Sequence, residues 1–156
     1  MSGEDLISLA SENVEAWTVG DWDRVRAPLA PDVVYNEVGT QRTLHGADEV
    51  VEVYKDWKRA IPDGKGRVVS ALASGNTVVL EVIWSGTQTG LLRGPGGDIP
   101  PSGKSFSLPA AQVITFKDDK VVECHHYFDL LTMLQQIGAA PEPAGVETEE
   151  EAAPRI

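Results

Sequence analysis

The feature that most constrains this chain is a series of long β-type runs in its second half. Thr77 to Gln88 carries Val78, Val79, Leu80, Val82, Ile83 and Trp84 almost without a break. Arg67 to Ala73 precedes it, and Ser105 to Phe116 and Lys120 to Phe128 follow. Gly75-Asn76 and Asp118-Asp119 fall between runs as short turns, so neighbouring runs should pair antiparallel in a meander. A strand apolar on both faces needs cover on both. One face is expected to meet helices and the other a partner subunit, which predicts a homodimer.

The first half supplies the helices. Leu6, Ala10, Val14 and Trp17 fall on one helical face. Ser2 can cap that helix and Gly20 can stop it. Asp21 can cap a short second helix with Trp22, Val25 and Leu29 inward, broken by Pro28. Val33 to Glu37 reads as a short strand. Val50, Val51, Tyr54, Trp57 and Ile61 predict a third helix over about residues 47 to 61, and Pro62-Asp63-Gly64 stops it. A closing helix begins at about Asp129 and ends at Gly138. The order predicts an α+β fold, with helices on one side of a curved, mostly antiparallel sheet. Gly90 to Gly103 holds five Gly and three Pro and reads as a long hairpin loop that could rim or lid a pocket.

Residues 1–138 form one domain by this reading. Residues 139–156 hold five Glu and one Arg, have little to bury, and are expected to be a disordered acidic tail. The net charge of −11 argues against a nucleic-acid partner. The single cysteine, Cys124, cannot form an internal disulfide, which suits a reducing compartment. The N-terminus is acidic, and no apolar run approaches the ~20 residues of a membrane span. These traits predict a soluble cytoplasmic protein that binds no membrane.

Most chemical signals fail on geometry. Gly103-Lys104-Ser105 imitates a phosphate loop, but Asp98 stands where the pattern needs Gly and a strand follows instead of a helix. His125 and His126 are adjacent on a strand, so they point to opposite faces and cannot easily share a metal. No metal site is expected. Alternation places Glu123, His125, Tyr127 and Asp129 on one face, and Val122, Cys124, His126 and Phe128 on the other. If the first face looks into a concavity, Asp129 is a desolvated carboxyl able to act as a base, with His125 beside it. Asp129 is equally well placed as the N-cap of the closing helix. His126 then reads as structural. Trp17, Tyr35, Tyr54, Trp57 and Trp84 are candidate walls for a flat ligand, or plain core. Tyr35 and Asn36, on the short strand, are the stronger pocket candidates.

Several segments together resemble the SnoaL-like polyketide cyclase family, within the nuclear-transport-factor-2-like superfamily. They are Gly20-Asp21-Trp22-Asp23, Leu44-His45-Gly46, Ile61-Pro62-Asp63, Ser85 to Gly90, Pro101-Ser102-Gly103-Lys104, and Phe128-Asp129 with Gln135-Gln136-Ile137-Gly138. The resemblance covers about residues 4–138. It implies a cone, with a curved sheet wrapped round helices and an apolar pocket inside. It also implies intramolecular aldol ring closure of a polyketide ester, without metal or organic cofactor. An Asp before the last helix is the acid/base in such cyclases, and Asp129 holds that position. A family His on the preceding strand is Gln112 here, and a Trp of the last strand is His125. Gln112 can donate to an enolate oxygen but transfers no proton at neutral pH. The expected ligand is small, hydrophobic and polyketide-like. The same cavity could host isomerisation, epoxide hydration (with Arg42 or Arg67 beside a second carboxylate) or binding without catalysis.

Overall fold

Helix α1 (Gly3–Val19) opens the chain, in a computed structural model that describes residues 1–141. The predicted tail therefore lies almost wholly outside the described residues. Ser2 and Asp5 form a reciprocal capping box, and Gly20 ends the helix at φ 75°, a left-handed conformation that costs glycine little. Asp21 caps α2 (Trp22–Arg26). Strands β1 (Leu29–Glu37) and β2 (Arg42–His45) flank a single 3-10 turn, and α3 (Ala47–Ala60) follows. Next come β3 (Lys65–Ser74), β4 (Thr77–Thr87), β5 (Leu92–Gly94) and β6 (Gly97–Ile99). Strands β7 (Ser105–Lys117) and β8 (Lys120–Phe128) lead into α4 (Leu130–Gln136).

Six strands form one curved sheet in the order β2-β1-β8-β7-β4-β3. Every neighbouring pair is antiparallel except β1 with β8. That parallel pairing sets the earliest strand beside the last and brings Tyr35 and Glu37 next to the β8 histidines. Helix α1 lies across the sheet with Leu6, Ala10, Val14 and Trp17 buried, as the spacing predicts. The approach to β3 is close: a Cβ at Gly66 would sit 2.7 Å from both Val14 and the Trp84 ring. Val78, Leu80 and Val82 of β4 and Ile114 and Phe116 of β7 complete the core from the sheet side. No helix among the described residues is long and apolar enough to cross a membrane.

Three elements differ from expectation. Leu29, read as part of the second helix, opens strand β1. Arg42–His45 forms strand β2, because it pairs with Val34 to Glu37. The segment Gly90–Gly103 is also more ordered than a plain loop. It folds into the β5–β6 ribbon, and the fully buried Gln88 holds it. The Gln88 amide donates to the carbonyls of Gly90, Ile99 and Pro100 and accepts from Ser102 N–H, so one side chain satisfies four backbone groups.

Candidate functional site

A cavity of about 70 Å³ lies between the helices and the concave face of the sheet. Helix α1 contributes Trp17, and α3 contributes Tyr54 and Trp57. From the sheet come Tyr35 and Glu37 of β1, Trp84 of β4, Gln112 of β7, and His126 and Phe128 of β8. Met133 of α4 also lines the cavity. A mostly apolar hollow with a few convergent polar groups is the usual form of a small-molecule site.

The β7–β8 register decides which histidine enters. Gln112 pairs with His126, and Val113 with His125. Directly paired residues share a face, so Gln112 and His126 project together into the cavity while His125 projects away. The His126 Nδ1 lies 2.7 Å from the Tyr35 hydroxyl, and its Nε2 has no partner. Burial pulls this imidazole down to about 3, so the ring is neutral near pH 7. Burial pushes the Tyr35 phenol well up, and that of Tyr54 beside it likewise, so both keep their protons.

The three cavity tryptophans differ in how their indole N–H is used. Trp17 donates to the Tyr54 carbonyl at 2.9 Å and Trp57 to the Glu37 carboxylate at 3.0 Å. Trp84 has no acceptor among the described residues. Trp84 Nε1 and His126 Nε2 are the two buried side-chain polar atoms among the described residues without a protein partner. Both residues line the same cavity, and their rings are 5.9 Å apart. Unpaired buried polar groups are costly enough that such a pair calls for an explanation.

Glu37 is only 2 % exposed, and three donors meet its carboxylate. One oxygen accepts from Arg42 Nε at 2.7 Å and from the Thr40 hydroxyl, and the other takes the Trp57 N–H. These bonds anchor the group in the cavity wall.

Six of the residues singled out from sequence line the cavity: Trp17, Tyr35, Tyr54, Trp57, Trp84 and Gln112. Three lie elsewhere. Asp129 is exposed and caps α4, accepting from the Thr132 hydroxyl at 2.6 Å and Thr132 N–H at 3.1 Å. Those two hydrogen bonds hold its carboxyl below the usual range, the reverse of a desolvated base. His125 lies outside the concavity with its Nε2 2.8 Å from Glu123, and its ring stacks on Tyr127. Asn36 alternates outward from Tyr35, and its side chain accepts from Thr43 on the neighbouring strand. The expected inward face of β8 is thus reversed, and His126, read as structural, is the histidine in the cavity. Charge distinguishes the two faces: Glu123 and Asp129 belong with water, whereas Cys124 and Phe128 belong with a core.

The sequence profile of the SnoaL-like polyketide cyclases matches residues 8–137. The chain belongs to that family. Its fold recurs in solved structures of low sequence identity. AclR from Streptomyces galilaeus superposes with a TM-score of 0.79 at 25% identity, covering 99% of this chain and 92% of that one. TsrD from Streptomyces laurentii does so at 0.77 and 21%, covering 90% and 99%. An epoxide hydrolase of the LEH-like type from M. tuberculosis gives 0.67 at 18%, covering 86% and 90%. No functionally curated protein matches by sequence. Membership of the SnoaL-like family suggests an enzymatic function.

Proposed function

We propose that this SnoaL-like protein is a cofactor-free cyclase, cytoplasmic in location, that closes a ring in a polyketide-like ester by acid/base catalysis at His126. The single observation that carries the reading is the Tyr35–His126 pair, with a neutral imidazole that lines an apolar cavity and whose Nε2 has no partner among the described residues. In the tautomer we assign, Nδ1–H donates to the Tyr35 oxygen and Tyr35 donates towards Tyr54, which turns the Nε2 lone pair to the cavity.

The ring-closing sequence balances with these residues alone. His126 Nε2 takes a proton from a carbon flanked by two carbonyls. The Gln112 amide, which makes no protein hydrogen bond among the described residues, donates to the enolate oxygen. The enolate carbon attacks a second carbonyl carbon of the same molecule and forms a C–C bond. The resulting alkoxide takes the proton back from His126. A desolvated imidazole is a weak base towards water, but an enolate forming beside it supplies the opposite charge that favours protonation. Proton transfer from a positioned group contributes about 10²–10⁴-fold, and holding the substrate folded supplies further rate.

The test needs no knowledge of the natural substrate. The protein is expected to speed exchange of the methylene protons of 1-(2-naphthyl)butane-1,3-dione, which lie between two carbonyls, for deuterium in D₂O, followed by proton NMR. His126→Gln should abolish the acceleration. Full exchange activity in that variant would remove His126 from the chemistry. We also propose a homodimer through the outer sheet face, where Leu72 and Tyr127 are 69% and 47% exposed.

A further inference from the structure

A second hollow, of about 220 Å³, lies between α1, α2 and the turn that joins β7 to β8. Among the described residues, Asn13 is the one that lines both this hollow and the central cavity. Leu9, Asn13 and Trp17 follow at four-residue spacing and so share a helix face. Leu9 borders the second hollow, Trp17 the central cavity, and Asn13 both. Asn is a weak helix former, yet this one sits inside a long helix. Its side-chain amide donates to the Val25 carbonyl at 2.8 Å. That carbonyl belongs to the last turn of α2, where no intrahelical donor can reach it. The bond therefore satisfies an orphan acceptor and fixes the amide at the boundary between the two spaces.

We propose that Asn13 is the partition that sets the length of ligand the central cavity takes. It closes the cavity to a long acyl arm, and a smaller residue there joins both hollows into one site. The second hollow suits an alkyl chain. Leu9, Ala27 and Pro28 give it apolar wall, and its exposed charges, Glu12 and Asp119 against Arg24 and Lys120, cancel. The unmodified protein is thereby restricted to a compact ligand with a short arm. This rests on the reading of the central cavity as the ligand site and adds a residue that selects length. Asn13 touches no reacting atom in that reading.

Two ketones that differ only in arm length separate the outcomes: 2-acetonaphthone and 1-(2-naphthyl)hexan-1-one. Each is titrated at pH 7 into ¹⁵N-labelled unmodified protein, Asn13→Ala and Asn13→Leu, with the His126 imidazole signals as reporter. One buried methylene is worth about four-fold in affinity. Burying two of the added ones in the joined hollow should raise the preference for the long ketone over the short one at least ~10-fold in Asn13→Ala. Asn13→Leu also loses the Val25 bond but fills the partition, so its preference should match that of the unmodified protein. Asn13→Ser opens the same space and takes the place of Asn13→Ala if that variant does not fold. An unchanged preference in the opened variant, or an equal rise in Asn13→Leu, overturns this proposal alone. If neither ketone moves the His126 signals in any of the proteins, the reading of the cavity falls with it.

Discussion

His126 makes stability depend on pH in a way that can be isolated. Its imidazole has an ordinary value of 6.5 in the unfolded chain and is pulled down to about 3 in the cavity. Between those values the unfolded chain binds a proton that the folded one does not. Stability from this residue is therefore fully present above about pH 6.5 and is lost as pH falls towards 3. From pH 6.5 to 4.5 the loss is about 3 kcal/mol, at ~1.4 kcal/mol per pH unit for one proton. Carboxylates also titrate in that range, so the measurement is a difference. Urea midpoints of the unmodified protein and His126→Gln are compared at intervals from pH 7 to 4.5. Gln fills a similar volume, can still meet the Tyr35 hydroxyl, and does not titrate. The unmodified protein should lose about 3 kcal/mol more than the variant over this window. Parallel stability curves would refute the argument, because they would mean that His126 protonates in the folded state as readily as in the unfolded one.

Other outcomes follow from the same geometry. Tyr35→Phe removes the 2.7 Å contact and strands Nδ1, which should cost about 1–3 kcal/mol by urea denaturation and slow methylene exchange in 1-(2-naphthyl)butane-1,3-dione about ten-fold or more. Asp129→Asn should leave that exchange unchanged and lower the melting temperature by at most a few degrees, since Asn is also a good N-cap. Gly39→Ala would put a Cβ 2.5 Å from the Phe128 ring, which packs 6.1 Å from Trp57; displacing that ring should cost about 1–3 kcal/mol in urea denaturation and weaken 2-acetonaphthone binding. Sedimentation should give a dimer, and Leu72→Glu with Tyr127→Glu should give a folded monomer.

Helix positions and the order of the long strands were legible because their periodicities are long and their stops are strong. Ser2, Gly20 and Pro62-Asp63-Gly64 mark ends that the structure keeps. Strand β2 was not legible: four residues carry too little pattern, and pairing with β1 makes it a strand. The site was half legible. Large aromatics at core spacing had to face inward, so Trp17, Tyr54, Trp57 and Trp84 were found without knowing the cavity. Which face of β8 turns inward depends on its register with β7. A one-residue change of face exchanges His125 for His126 and sends Asp129 to the surface. The bulge near Thr115 and Phe116, which shifts the β7–β8 pairing, has no signature in a single sequence. Glu37 was hidden for another reason, because its cavity role depends on donors from Thr40, Arg42 and Trp57 that the fold brings together.

The central claim is that the proton chemistry belongs to His126 in the cavity and not to the capping Asp129. Deuterium exchange at the methylene of 1-(2-naphthyl)butane-1,3-dione by the unmodified protein, His126→Gln and Asp129→Asn, run side by side, tests it most directly. The account predicts exchange in the first and third and none above background in the second. Exchange that survives in His126→Gln and disappears in Asp129→Asn, with both variants folded, would contradict it.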